Sequence, residues 1–552
     1  MKRPFVALLI SLILLALAAC TRETYDILIV NGTVIDGTGS EGRREDVAIT
    51  AGKIAALGDL ANARATRTID AHGLVVAPGF IDMHNHSDDT LLAEPNCESM
   101  IRQGVTTMVL GEGGSQGPLK DGLEPWTTLG GYFDLVEQKG MSPNICSYVG
   151  ETQVWTYVKG DEMTPATPEQ IEAMKQEVDK AMRQGAMGLS TSLLMPPSNL
   201  ITNEQLAELA KVAARYGGIY SSHIRDEGEG VFSSIQEAIN VGKWAGIRVD
   251  IIHLKIAHQK LWGRMSEVLR MIDQARAEGH DIRSNVYPYT AGNNNLRAII
   301  PPWAHDGGNG KMLERLRDRK LRGRMRKEIL EGLPGWYNHY LGTGGGWEGM
   351  LLVSMSQEKN KPFIGKRMSE LIASRGGDPV EVLFDLLLEE NGSVSTVFFH
   401  HDEPDMQLAM KQPYTSIGSD GSAISKDGPL AQMHVHPRWY GTFPRVLGRY
   451  ARELKVITLP QAVRKMTSMN AEKINIVDRG VLKAGNWADV TLFNPDTVID
   501  KATFESPHQY PEGISYVIVN GKIVIDQGRH TGELPGQVLR GPGFQREAPK
   551  ID

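Results

Sequence analysis

Five side chains that can bind a metal or move a proton fall at the ends of extended apolar segments. The first such segment is Gly79-Phe-Ile-Asp-Met-His84-Asn85-His86. Two histidines two residues apart on an extended chain point the same way, so both can reach one ion. Two more segments end at Ser222-His223 and Ile252-His253, and another ends Gly418-Ser419-Asp420-Gly421. Each is ordinary alone: a buried histidine is commonly a core residue bonded to backbone, and Asp before Gly is a turn former. Four histidines and an aspartate, all at segment ends, are not accounted for in that way. Imidazoles with a carboxylate suit zinc or a similar transition ion. Such an ion brings the pKa of water toward neutrality and polarises a carbonyl. The chemistry this implies is hydrolysis of an amide or a related bond.

The elements that must hold these residues alternate. Strand candidates are 79–84, 105–112, 144–150, 187–193, 218–223, 249–253, 282–287, 396–401 and 415–420, with helices between several of them. Thr167-Pro168-Glu169-Gln170 is a helix start with a cap, Pro at the first position and a capping-box Gln. Ile171, Met174, Val178 and Met182 then follow at helical spacing. A second helix runs from Asn203 to Tyr216 and stops at Gly217-Gly218. Repeated β-α units predict an α/β fold with a closed (β/α)8 barrel over 79–470, active at the carboxyl ends of its strands. Nine candidates compete for eight places, and 187–193 and 282–287 are the two whose places are in question. Residues about 292–390 predict a long inserted subdomain over the barrel mouth.

Both chain ends look alike. Ile27 to Asp36 and Tyr516 to Asp526 each predict a hairpin about an Asn-Gly pair, Asn31-Gly32 and Asn520-Gly521. With Gly52 to Leu57 and Ala488 to Phe493 they predict one small β-sandwich built from 25–78 and 471–535, leaving 536–552 as a tail.

These residues resemble the amidohydrolase superfamily, and within it the N-acyl-D-amino acid deacylases, or D-aminoacylases, over nearly the whole chain. The carrying motifs are Gly79 to His86, Gly104-Val-Thr-Thr107, Gly185 to Thr191, Ser222-His-Ile-Arg-Asp-Glu227, His253-Leu-Lys255, Tyr287-Pro-Tyr289 and Ser419-Asp-Gly421. The resemblance implies that His223 and His253 hold a tightly bound metal, with His84 and His86 lining a second position. It implies that Asp420, also near the metal, takes a proton from the metal-activated water and passes it to the leaving amine. The family carries Cys at the end of the second strand; here the segment is Gly111-Glu112-Gly113-Gly114. Glu112 is therefore the candidate fifth ligand, or else a carboxylate orienting a histidine. The resemblance also implies a clamp for the substrate α-carboxylate: Lys255, Tyr287 and Arg438, the last suited to bidentate pairing. Asn293 and Glu151 stand where relatives carry other residues, and His400-His401-Asp402 has no counterpart in the pattern. The implied reaction is hydrolysis of an N-acyl-D-amino acid to a carboxylate and a free D-amino acid. A dipeptidase or cyclic-amide hydrolase would use the same chemistry, and an anchored non-catalytic binding protein the same scaffold.

Composition agrees with a globular enzyme. The chain has 552 residues, 41% hydrophobic and 23% charged, with a net charge of −7 and no basic block. This excludes disordered, collagen-like and multi-span membrane classes and gives no support for nucleic-acid binding. Lys2 and Arg3 precede an apolar run from Phe5 to Ala19, too short for an ordinary membrane span. Leu17-Ala18-Ala19-Cys20 resembles a bacterial lipobox, predicting a signal segment over 1–20 and lipidation at Cys20. Thr21 after it predicts the outer membrane, facing the periplasm. Cys97 and Cys146 are expected to be buried free thiols.

Overall fold

The computed structural model describes residues 24–545, apart from 161 and 195. Eight parallel strands form the barrel: Phe80–Asp82, Val105–Leu110, 144–150, Gly188–Ser192, Ile219–His223, Val249–Ile251, Ile282–Val286 and Thr415–Ile417. The third strand is interrupted at Tyr148. The eighth strand returns to the first through the loops that follow them. There Asp420 N–H donates to the His84 carbonyl at 2.8 Å, and His86 N–H donates to the Gly421 carbonyl at 2.8 Å. The closure of the barrel thus runs through three of the residues singled out for chemistry.

Both strands whose places were in question belong to the barrel. The eighth candidate, 396–401, does not. Ser395–Phe398 pairs antiparallel with Gly292–Asn295 and Met350–Ser354 in a separate three-stranded sheet. Its apolar run followed by the helix Glu403–Lys411 imitates a β-α unit, although that helix packs beside the last barrel strand. This sheet belongs to the insertion, which extends to Phe398 and has its own core of Leu296, Ile299, Met312, Met325, Leu383 and Phe384, among others.

The outer helices form where the sequence places them. Thr167 caps Pro168–Arg183 with a complete capping box, and Ile171, Met174, Val178 and Met182 are buried. Burying each such side chain stabilises the fold by about 1.5–3 kcal/mol. Asn203–Arg215 has its own capping box from Thr202 and Gln205.

The β domain is a sandwich. One sheet has the order Lys53–Gly58, Asp46–Thr50, Thr24–Val30, Arg64–Asp70. The other joins both chain ends: Lys522–Asp526, Ile514–Val519 and Val490–Phe493 continue into Val75–Pro78 and Thr33–Val34. Ile27, Ile49, Val76, Val490 and Ile518 fill the space between. The hairpin predicted at Asn520-Gly521 forms. The one predicted at Asn31-Gly32 does not: Thr24–Val30 pairs with Asp46–Thr50 and Arg64–Asp70, while Thr33–Val34 pairs in the other sheet. Asn31 adopts φ 63°, and a β-carbon at Gly32 would meet Val76 Cγ2 at 2.5 Å. The Asn-Gly pair there passes the chain between sheets instead of folding it back.

The stretch expected as a tail is ordered through 545. Leu539 N–H donates to the Ile145 carbonyl at 2.7 Å, and Gly541 N–H donates to the Gly185 carbonyl at 2.8 Å. Cys97 and Cys146 are buried free thiols. The signal segment and Cys20 lie outside the described residues.

Candidate active site

A buried polar framework sets the strand ends. Asp82 accepts the N–H groups of His84 at 3.3 Å and Ser419 at 2.7 Å, tying the first strand to the loop that carries Asp420. Behind the sixth strand, Lys473 donates to Asp250 at 2.5 Å. Asn285 donates to the other Asp250 oxygen at 2.7 Å, and the Asn285 amide oxygen accepts from His253 N–H at 2.9 Å. His253 and Asp420 are held at φ 38° and 52°. Two non-glycine residues in left-handed backbone at one site mark strain that the surrounding bonds sustain.

The six predicted metal-binding side chains meet. His84, His86, Glu112 and Asp420 bring one ligand atom each within 4.8 Å of one another, and so do Glu112, His223 and His253. Glu112 belongs to both groups. Its Oε2 faces His84 Nε2 and lies 3.1 Å from His86 Nε2, while Oε1 lies 2.8 Å from His223 Nδ1. Asp420 Oδ1 lies 3.1 Å from His86 Nε2, and Oδ2 lies 4.0 Å from His253 Nε2. His84 Nε2 and His86 Nε2 are themselves 3.1 Å apart. Imidazole and carboxylate lone pairs converging this closely are what a divalent cation satisfies, and nitrogen with oxygen donors suits zinc. Glu112, common to both groups, would be the shared ligand if two ions were held there.

Sequence reasoning assigned Glu227 no role. It is buried, and its Oε1 lies 3.1 Å from His253 Nδ1, 3.7 Å from His223 Nε2 and 2.5 Å from Lys255 Nζ. A carboxylate behind ligand histidines fixes their orientation and tautomer. The only signal for it is its place in the Ser222-His-Ile-Arg-Asp-Glu227 motif.

Electrostatics follow from these partners. Burial pushes Asp420 upward, but Arg438, His84 and His86 outweigh it and hold the carboxylate well below its ordinary range. Glu112 is likewise held low against burial by His84, His223 and His86. Burial, reinforced by Lys255, lowers His253 to about 4, keeping it neutral and able to ligate.

The predicted clamp surrounds the same space. Lys255, Tyr287 and Arg438 line a cavity of about 180 Å³ together with Glu112, His223, His253 and Asp420. Tyr287 is close to both cations, 4.8 Å from the Arg438 guanidinium and 5.8 Å from Lys255 Nζ by its ring centre. Lys255 is already paired with Glu227, and Arg438 Nη1 lies 3.0 Å from Asp420 Oδ2. Arg438 is buried, and its Nε has no hydrogen-bond partner within the protein. Of the two cations, Arg438 is the one with donors to spare.

The chain matches the amidohydrolase family over residues 67–243 and 369–525. It is 34% identical to a D-aminoacylase of Alcaligenes xylosoxydans xylosoxydans, over 94% of this chain and 98% of that one. It is 32% identical to an N-acyl-D-glutamate deacylase of the same organism, over 96% and 99%. The crystal structure of an N-acyl-D-glutamate deacylase from Bordetella bronchiseptica, complexed with zinc and a phosphonate mimic of the tetrahedral intermediate, superposes with a TM-score of 0.79. It covers 94% of this chain and 100% of that one, at 30% identity. The chain belongs to the amidohydrolase family, in the group of the N-acyl-D-amino acid deacylases.

Proposed function

We propose that this protein hydrolyses N-acyl-D-amino acids to a carboxylate and a free D-amino acid, with zinc held by His84, His86, Glu112, His223, His253 and Asp420. The observation that carries this reading is one cavity holding both the ligand cluster and Arg438, a buried guanidinium with an unpaired donor. The D configuration rests on the relatives, a D-aminoacylase and an N-acyl-D-glutamate deacylase. Zinc bound there supplies Lewis acidity toward the acyl carbonyl and makes water nucleophilic near neutral pH.

The chain's residues do the rest. Arg438 binds the substrate α-carboxylate, with Tyr287 beside it, and fixes the amide over the ligand cluster. Lys255, also near Tyr287, adds positive potential while staying paired with Glu227. Asp420, unprotonated, accepts the proton of the attacking water and delivers it to the leaving nitrogen. Arg438 links binding to that step. In the free site it lowers the proton affinity of Asp420. A substrate carboxylate that engages the guanidinium competes for it and makes Asp420 a better base. Retention of the clamp favours a substrate with a free carboxylate over a cyclic amide.

The test is release of D-amino acids from N-acetyl-D-amino acids by the zinc-loaded protein, with Asp420→Asn as control. Release that disappears in the variant supports the reading. Preferential cleavage of dipeptides would replace it with a dipeptidase, and failure to take up zinc with a binding scaffold.

We also propose that Cys20 is lipidated and anchors the enzyme to the outer membrane, facing the periplasm. The support is the lipobox-like Leu17-Ala18-Ala19-Cys20 after a short apolar run. Several acyl chains hold firmly, at about 0.8 kcal/mol per buried methylene. Cys20→Ala should move the protein out of the membrane fraction; an unchanged distribution would contradict the anchor.

A further inference from the structure

Glu112 sits in the turn Gly111-Glu112-Gly113-Gly114, which follows the second barrel strand. The fourth barrel strand, Gly188–Ser192, holds that turn through one side chain. Ser190 is fully buried, and its hydroxyl donates to the Gly111 carbonyl and accepts from Gly113 N–H at 3.1 Å. The hydroxyl has a single hydrogen, which goes to Gly111, and a lone pair takes Gly113. One side chain thus bonds the residue before Glu112 and the residue after it.

The turn crosses the end of the third strand to reach Ser190. Gly150 at that end pairs in register with Ser190, and a β-carbon on Gly150 would lie 2.1 Å from the Gly113 carbonyl oxygen. Gly111 and Gly113 stand at φ 87° and 61°, backbone that favours glycine. A β-carbon on Gly111 would meet Ser147 Oγ at 2.5 Å, and one on Gly113 would meet Ser192 Cβ at 2.6 Å. The Gly113 carbonyl also accepts from Gln153 N–H at 3.2 Å. The turn is therefore closely seated between the third and fourth strands, with Glu112 as its one long side chain.

We propose that Ser190 is the positioning residue for Glu112: by fixing both flanks of the turn, its hydroxyl sets one carboxylate oxygen toward His84 and His86 and the other toward His223; this rests on the metal-ligand reading above. Without the hydroxyl, a buried carbonyl and a buried N–H lose their partner, and the turn can relieve this only by moving. Glu112 moves with it. A carboxylate whose two oxygens serve different histidines tolerates little displacement. Ser190 is not part of the cavity lining, so its effect on metal binding passes through Glu112.

The test is zinc affinity of the whole protein by equilibrium dialysis. Ser190→Ala should weaken zinc binding about tenfold or more, as loss of a partner behind a ligand does. Ser284→Ala is the control. It removes another fully buried hydroxyl from a barrel strand, one that faces Thr415 Oγ1 at 2.8 Å, and it should leave zinc affinity within about twofold of the wild type. The deciding comparison adds Ser190→Ala to Glu112→Ala. A serine that acts through Glu112 has nothing left to position there, so the second substitution should cost less than about twofold more. Losses that multiply would make Ser190 a general support of the barrel and overturn the inference, as would wild-type zinc affinity in Ser190→Ala. If Ser190→Ala does not fold, Ser190→Cys, which keeps a side chain of similar shape with only a weak donor, takes its place in the same comparison with the same outcomes. These results overturn this inference alone; a wild-type protein that takes up no zinc overturns the metal-ligand reading and this one with it.

Discussion

At the residue scale, Glu112 and Asp420 carry the most consequence. Glu112 faces both halves of the ligand cluster, so removing it should weaken both. Glu112→Ala should lower zinc affinity by about 100-fold or more, the upper end of what loss of a merely orienting partner produces. Equilibrium dialysis would measure it, and unchanged zinc binding would make Glu112 a bystander. Arg438→Lys keeps the charge but loses the planar fork, so KM should rise at least about tenfold. A lowered kcat at unchanged KM would instead place Arg438 in proton transfer alone. The four histidines and Asp420 were legible because they end apolar runs, and a short run that stops at His or Asp is visible without a structure; Glu112 was reached only through the family resemblance. Glu227 was not: its contacts to His253 and Lys255 arise only when neighbouring strands align.

At the element scale, the third strand feeds directly into the helix Glu151–Lys159. Glu151 is fully buried, accepts from Ser198 Oγ, and is raised to about 7 by burial against the pull of Ser198 and Arg225. A carboxyl whose folded pKa is raised favours the folded state when protonated. That advantage is complete below about 4.5 and is lost as pH climbs through about 7. Glu151→Gln is always neutral, so it should gain on the wild type between those values, by about 1.4 kcal/mol per pH unit at most, and hold the gain above them. Urea unfolding at pH 5 and pH 8 would show it; an equal difference at both would mean the carboxyl does not titrate in this range. Elements with strong local signals, the two capping boxes and the Asn520-Gly521 hairpin, were readable. Asn31-Gly32 and the 396–401 strand misled because the same local pattern serves a different partner, and strand partners are set by long-range packing.

At the scale of the whole molecule, three units meet at the site or beneath it. The insertion supplies one wall of the cavity, the barrel supplies the ligands, and residues after 534 bind the opposite end of the barrel. Ile145 and Gly185 each hold this segment through backbone bonds, worth about 1 kcal/mol apiece. Truncation after residue 534 should therefore lower Tm without changing zinc stoichiometry; an unchanged Tm would show the segment to be passive. The barrel was legible as a repeat of β-α units. The insertion's internal sheet and the docking of the C-terminal segment were not, since neither repeats a pattern and both depend on contacts between distant stretches.

The central claim is that one cavity joins a metal-ligating cluster to a carboxylate clamp for N-acyl-D-amino acids. The most direct measurement is hydrolysis of N-acetyl-D- and N-acetyl-L-amino acids by the zinc-loaded protein, with enantiomers of the product resolved and Asp420→Asn alongside. The account predicts free D-amino acid from the wild type, little or none from the L series, and a kcat lower by about 10²–10⁴-fold in the variant. Zinc-loaded protein that releases neither enantiomer, or that releases the L form in preference, would contradict it.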